Sequence, residues 1–228
     1  MVIDYFMSLD PSALLRAMPG TAAQGLIWGI MALGVYITFR ILDFADLTVD
    51  GSLATGAATA VMLIQGGMHP ALSLIFATLA GMAAGFVTGI LHTGLGIPGI
   101  LASILTQVSL YSVNLVIMGK SNQGISLTQQ GLVASSRYVT GDGSLFFFLK
   151  LILGCLVLVA IVYWFFGTEM GASIRATGCN PQMARAQGIN TNYTKVLALM
   201  ISNGLVGLCG GVLAQYQGAA DVNMGRGA

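Results

Sequence analysis

From residue 51 to residue 119 the chain carries no Asp, Glu, Lys or Arg, a run of 69 residues. A helix rises about 1.5 Å per residue and the hydrocarbon core of a bilayer is about 30 Å thick, so one crossing takes roughly 20 residues. Three crossings fit in this run. Further uncharged runs at 17–39, 151–168 and 196–220 bring the expectation to about six membrane-spanning helices. Charged residues make up 7% of the chain and apolar residues 56%, with a mean hydropathy of +0.84. A soluble domain carries about 25% charge, so that class is excluded.

A net charge of +1 with no basic stripe also excludes nucleic-acid binding, which needs cations against phosphates. Cys155, Cys179 and Cys209 lack the paired spacing of a zinc site or a disulfide framework and read as packing residues. The first residues include Asp4 and Asp10 and do not follow the basic-then-apolar order of a cleavable signal peptide.

Residues 5–16 are expected to form a short amphipathic helix on the membrane surface, ended by Pro19 and Gly20. A first span follows at 21–40. The segment LDFADLTVDGS then puts Asp43, Asp46 and Asp50 into eight positions between two apolar runs. Three carboxylates cannot all face lipid, since each costs about 2.5–3.5 kcal/mol at the bilayer centre. Two readings stay open, an ordinary loop or an unwound stretch lining a polar cavity. Asp50 or Ser52 is placed to cap the next helix. The run 52–66 is short for a crossing and reads as half of a broken helix.

The third span, 70–91, carries Gly81, Gly85 and Gly89 at four-residue spacing, which clears one face for another helix. GLGIPGI at 94–100 interrupts the chain before a fourth span ending near Gly119. On that span Tyr111, Ser112 and Asn114 either line a pathway or make packing contacts. A polar stretch at 120–144, a fifth span at 145–166, a polar stretch at 167–195 and a sixth span at 196–217 complete the order. The closing GAADVNMGRGA reads as the entry to another segment, so the chain is expected to be incomplete. It also echoes DLTVDGS at 46–52, as paired breaks in two halves of a transporter do. Gly119, Lys120 and Ser121 end like a phosphate-binding loop, but Asn114 stands where that pattern needs Gly. His69 and His92 lie at opposite ends of one span and cannot share a metal. The 12 methionines are scattered as core filler.

Residues 168–190, TEMGASIRATGCNPQMARAQGIN, read as two short helices. The first is ended by Gly178; the second is capped by Asn180, has Pro181 at its first position and has Gly188 just past its end. Helices this short need something to dock against.

The run Gly171, Ala172, Ser173, Ile174, Arg175, Ala176, Thr177, Gly178, then Asn180, Pro181, Ala184, Gly188, Ile189 and Asn190, resembles the coupling segment of ABC-transporter permeases of the branched-chain amino-acid type. That group includes permeases paired with tryptophan- or tyrosine-binding proteins. FRILDFADLTVDGS at 39–52, LYSVNLVIMGK at 110–120 and ADVNMGRG at 220–227 extend the resemblance over most of the chain. It departs from the family in lacking the spans expected after ADVNMG.

The resemblance implies an all-α polytopic integral membrane protein, a single permease domain over 1–228 with a broken helix near 41–52 and a cytosolic coupling helix. It implies a transport subunit of a bacterial cytoplasmic membrane with no catalytic residue, metal or cofactor of its own. Its partners would be cytosolic ABC ATPase subunits, a second permease subunit (identical or related) and an extracytoplasmic substrate-binding protein. The solute would be small, an aromatic or branched-chain amino acid, imported by ATPase-driven alternating access. Expected pathway residues are Asp43, Asp46, Asp50, Ser52, Tyr111 and Asn114. Expected coupling residues are Arg175, Ala176, Gly178, Asn180, Pro181, Ala184 and Gly188. Lys and Arg counts on the two sides tie. With 168–190 at the ATPase, 120–144 lies outside. The alternative is an ion-coupled secondary transporter binding H⁺ or Na⁺ at Asp43, Asp46 and Asp50; a nontransporting scaffold is a third reading.

Overall fold

The first uncharged run becomes a single helix, α1 (Pro11–Tyr36), which widens into a π-helical turn at Ile37–Ile41 in the computed structural model. The structure describes residues 11–125, 132–135 and 144–226, with side chains from residue 18 and, after the gap, from 146. Then come α2 (Thr48–Gln65), α3 (Pro70–Thr93), α4 (Gly99–Met118), the short strand β1 (Asn122–Gly124) and α5 (Ser144–Gly167). Two short helices, α6 (Glu169–Cys179) and α7 (Pro181–Ala186), precede α8 (Thr191–Gln217) and β2 (Ala219–Asp221).

Met18–Ile41, Pro70–Thr93, Gly99–Met118, Phe146–Gly167 and Thr191–Gln217 are each long and apolar enough to cross a membrane. The protein is an all-α polytopic membrane protein. α2 is not one of these five. Its 18 residues rise about 27 Å, and most of them, including Leu53, Ala57 and Val61, are buried inside the bundle. The short run expected at 52–66 is one continuous helix that starts four residues earlier, directly after the irregular segment 42–47.

The helices alternate in direction. At one end Gln65 Nε2 donates to the Gly124 carbonyl (2.8 Å), the Tyr216 hydroxyl donates to the Gly20 carbonyl (3.1 Å), and Gln215 Nε2 donates to the Pro70 carbonyl (2.9 Å). β1 and β2 pair antiparallel at this end, Asn122 opposite Asp221. At the other end α6 meets the π-helical turn, and Lys195 Nζ lies 3.3 Å from His92 Nε2.

α8 is the most enclosed of the five long apolar helices and α5 the least. The glycine row on α3 explains the first. Cβ atoms at Gly81 and Gly85 would strike the Asn203 and Leu199 carbonyls, and one at Gly89 would strike Val196. On another face of α8, Gly210 lies against the Leu53 carbonyl, and Gly56 of α2 lies against Gly207. Without a hydrophobic drive between helices in lipid, such close backbone approach supplies the packing.

The expected break at Pro19 and Gly20 is corrected as well, since α1 continues through both. In a membrane the groups Pro disturbs can be satisfied by neighbours; the Tyr216 hydroxyl on Gly20 and Thr21 Oγ1 on the Met18 carbonyl (2.9 Å) brace this stretch. Residues 1–10, where the surface helix was expected to begin, lie outside the described residues, as do 126–131 and 136–143 of the polar stretch 120–144.

Candidate functional site

The π-helical turn ends in a sharp change of direction. Leu42 N–H reaches back to the Ile37 carbonyl and Phe44 N–H to the Thr38 carbonyl, both at 3.0 Å. Between them Asp43 takes a left-handed conformation (φ 54°), which Asp tolerates better than most residues. Residues 42–47 are therefore irregular backbone at the end of a membrane helix. π-turns inside α-helices occur often at functional sites.

Asp46 organises the start of α2. Its Oδ1 accepts from the Thr48 N–H in the first turn of that helix (2.9 Å), and its Oδ2 accepts from Asn203 Nδ2 on α8 (2.7 Å). Asn203 Oδ1 in turn accepts from Ser52 Oγ. The N-cap position is Leu47, without a side-chain cap, and it is Asp46, rather than Asp50 or Ser52, that accepts from an N–H of the first turn. Beside it, three buried threonine hydroxyls tie α2, α3 and α4 together: Thr48 to Thr88 at 2.8 Å and Thr88 to Thr106 at 2.9 Å.

Asp50 faces elsewhere, accepting from Gln107 Nε2 of α4 (3.2 Å). Together with Tyr111, Asn114 and Arg226 these two residues line a cavity of about 220 Å³ between α2, α4 and the turn after β2. The turn runs beside α2 until Gly225 packs on the Asp50 carbonyl. The two acidic, glycine-bearing segments that echo one another in sequence therefore meet. Arg226 lies over the Tyr111 ring, 5.7 Å from its centroid. Asn114 is fully buried, and neither its Oδ1 nor its Nδ2 has a hydrogen-bond partner among the described residues.

Of the six expected pathway residues, Asp50, Tyr111 and Asn114 share this cavity. Asp46 and Ser52 converge on Asn203 instead, and Asp43 is exposed at the turn. Ser112 is exposed on α4 away from the cavity. Gln107, Asn203 and Arg226 were missed. Gln107 sits four and seven residues before Tyr111 and Asn114 on one helix face, a spacing that a search for polar stripes would find. Arg226 had only its place in the terminal motif as a signal.

The second site is the α6–α7 pair. Thr168 caps α6 through its Oγ1, which accepts from the Gly171 N–H, and Asn180 Oδ1 accepts from the Gln182 and Met183 N–H groups (3.0 Å each) to start α7. Pro181 occupies the first position of α7 and Gly188 is left-handed at φ 83°. Gly178 does not end α6, which runs to Cys179; it is small because the Ile41 carbonyl occupies the space of a Cβ. The Thr177 and Thr194 hydroxyls, 2.9 Å apart, and buried Ile174 complete the anchor to the bundle. Ala184 is buried too, so it holds α7 in place rather than facing outward. Arg175, Pro181, Met183 and Arg185 are exposed, with Arg185 Nε donating to Thr191 Oγ1 at 2.7 Å.

Residues 18–228 match the family described as the branched-chain amino acid transport system / permease component. The chain is 42% identical to a tyrosine transport system permease protein of Clostridioides difficile, over 90% of this chain and 66% of that protein. It is 37% identical to an uncharacterised protein of Rickettsia prowazekii, over 90% of this chain and 70% of that one. It is 30% identical to an autoinducer 2 import system permease protein of Yersinia pseudotuberculosis, over 91% of this chain and 56% of that one. The chain thus spans roughly two thirds or less of the length of the first and third of these relatives. No solved structure gives a significant match. A multi-pass bundle with its break, its terminal turn and its anchored short helices in the matched region belongs to the family of permease components of branched-chain amino acid transport systems.

Proposed function

We propose that the chain is the membrane permease of an ATP-driven importer in a bacterial cytoplasmic membrane, moving an amino acid with an aromatic or branched side chain. ATP hydrolysis belongs to separate cytosolic subunits docked on α6 and α7. A second permease subunit completes the pathway, and an extracytoplasmic binding protein delivers the solute to the side carrying residues 120–144. The tyrosine transport system permease supports the solute class, and the autoinducer 2 import permease supports import.

The observation that carries this reading is the α6–α7 pair. α6 is held against the bundle through Gly178 on Ile41 and Thr177 on Thr194, and it carries a six-residue helix with exposed Met183 and Arg185. An outward-facing helix so short gains little stability by itself; fixed to the π-helical turn, it can pass a push to the break at 42–47. Arg175, Asn180, Pro181 and Gly188 shape this surface, while Ala176, Gly178 and Ala184 seat it. The ion-coupled alternative has less support, because Asp46 and Asp50 hold different partners and Asp43 stands apart.

The test uses full-length permease coexpressed with its ATPase. Deleting 178–189 should abolish copurification of the ATPase while membrane insertion persists, and Met183→Asp should weaken it. Retained copurification after the deletion would overturn the coupling assignment.

A further inference from the structure

The cavity beside Asp50 is lined by opposite charges and by a buried, unsatisfied amide. Asp50 offers a carboxylate steadied by Gln107, Arg226 offers a guanidinium held against the Tyr111 ring, and the orphaned carboxamide of Asn114 lies between α2 and α4 in the same wall. A buried amide without partners costs about 1–3 kcal/mol per group, so native structures give such groups a partner in protein, water or ligand. Charges among membrane helices are likewise kept where they bind something.

We propose that this cavity binds the head group of a free α-amino acid during passage. The ammonium group faces Asp50, the carboxylate faces Arg226, and Asn114 donates to one and accepts from the other. The chemistry favours a zwitterion over a single charge. A lone anion would meet the Asp50 carboxylate, and a lone cation would meet Arg226; only a ligand carrying both satisfies both walls. At about 220 Å³ the space falls below the ~300–1,000 Å³ of pockets for drug-sized ligands. The proposal rests on the permease reading above and adds where, and by which groups, the solute is recognised.

The test is ligand-observed saturation-transfer NMR on the full-length permease–ATPase complex in nanodiscs, without binding protein. The probes are L-tyrosine, L-leucine and L-alanine, with tyramine (no carboxylate) and 3-(4-hydroxyphenyl)propanoate (no ammonium). At least one amino acid should bind, and the single-charge analogues should bind about tenfold or more weakly. Asn114→Leu should remove amino-acid binding. Should that variant not fold, Arg226→Gln at the cavity mouth gives the same test: it should narrow the preference for L-tyrosine over tyramine, and Asp50→Asn should narrow that over the propanoate. Wild-type protein that binds none of the amino acids, or variants that bind them unchanged, would overturn the proposal. Such a result would leave the permease reading standing wherever the 178–189 deletion still releases the ATPase.

Discussion

Single residues carry the sharpest packing constraints in this structure. Gly178 tolerates no side chain, because the Ile41 carbonyl stands where a Cβ would be. Gly178→Val therefore pushes α6 off the π-helical turn, and overpacking of this kind costs about 1–3 kcal/mol. Purified full-length permease should show a lower thermal midpoint and hold its ATPase less well; an unchanged midpoint would mean that the contact bears no stability. Asn203 is the opposite case, a residue that must keep its side chain. It donates to Asp46 Oδ2 and to the Leu199 carbonyl and accepts from Ser52 Oγ. Asn203→Leu keeps the volume and removes all three bonds, leaving Asp46 and Ser52 to find others, for a loss of about 1–3 kcal/mol. Denaturation followed by tryptophan fluorescence checks it, and a variant as stable as wild type would show that water replaces the amide.

At the scale of elements the seam between α3 and α8 is the part most legible in sequence. Glycines at 81, 85 and 89 recur once per helical turn; α8 carbonyls lie where the Cβ atoms of Gly81 and Gly85 would be, and Val196 stands against Gly89. Gly85→Ile should therefore abolish a monodisperse preparation. Gly25→Ile on α1, where nothing lies within 4 Å of an added Cβ, should be tolerated and slightly favour the helix; equal behaviour of the two would contradict the packing argument. The same local logic made α7 readable, since Asn180, Pro181 and Gly188 act within a few residues of themselves. The start of α2 was not readable. Asp46, Asp50 and Ser52 are all able to cap a helix, and it is Asp46, bonded to Asn203 far away in sequence, that accepts from the first turn. The cavity failed for the same reason. Arg226 reaches Tyr111 because β1 and β2 pair and Gly225 packs on Asp50, and three-residue strands leave no periodic signal. Pro19 was read as a stop because in water it would be one.

For the whole molecule, the proposed push at the α6–α7 end and the alternative of an ion bound at the aspartates make different demands on the same contacts. α6 touches Ile41 and Leu42 through Gly178 and touches α8 through Thr177, so a displacement of the α6–α7 pair acts at once on the break and on the most enclosed helix. Asp46 bonds α8 to the start of α2, which places the break and both helices in one mechanical unit. In the ion-driven alternative the same carboxylate would have to release Asn203 and Thr48 to take up a cation, breaking two short hydrogen bonds in each cycle. The readings part in proteoliposomes holding the full-length permease, its ATPase and its binding protein. With ATP supplied, uptake of labelled amino acid should continue after a protonophore and a sodium ionophore have collapsed both gradients, and it should stop when ATP is replaced by a nonhydrolysable analogue. Asp46→Asn should lower the rate by weakening the link between break and α8 while leaving the ATP requirement intact. Uptake that follows the ion gradient, needs no ATP and vanishes in Asp46→Asn would return the three aspartates to the role of ion ligands and remove α6 and α7 from the mechanism.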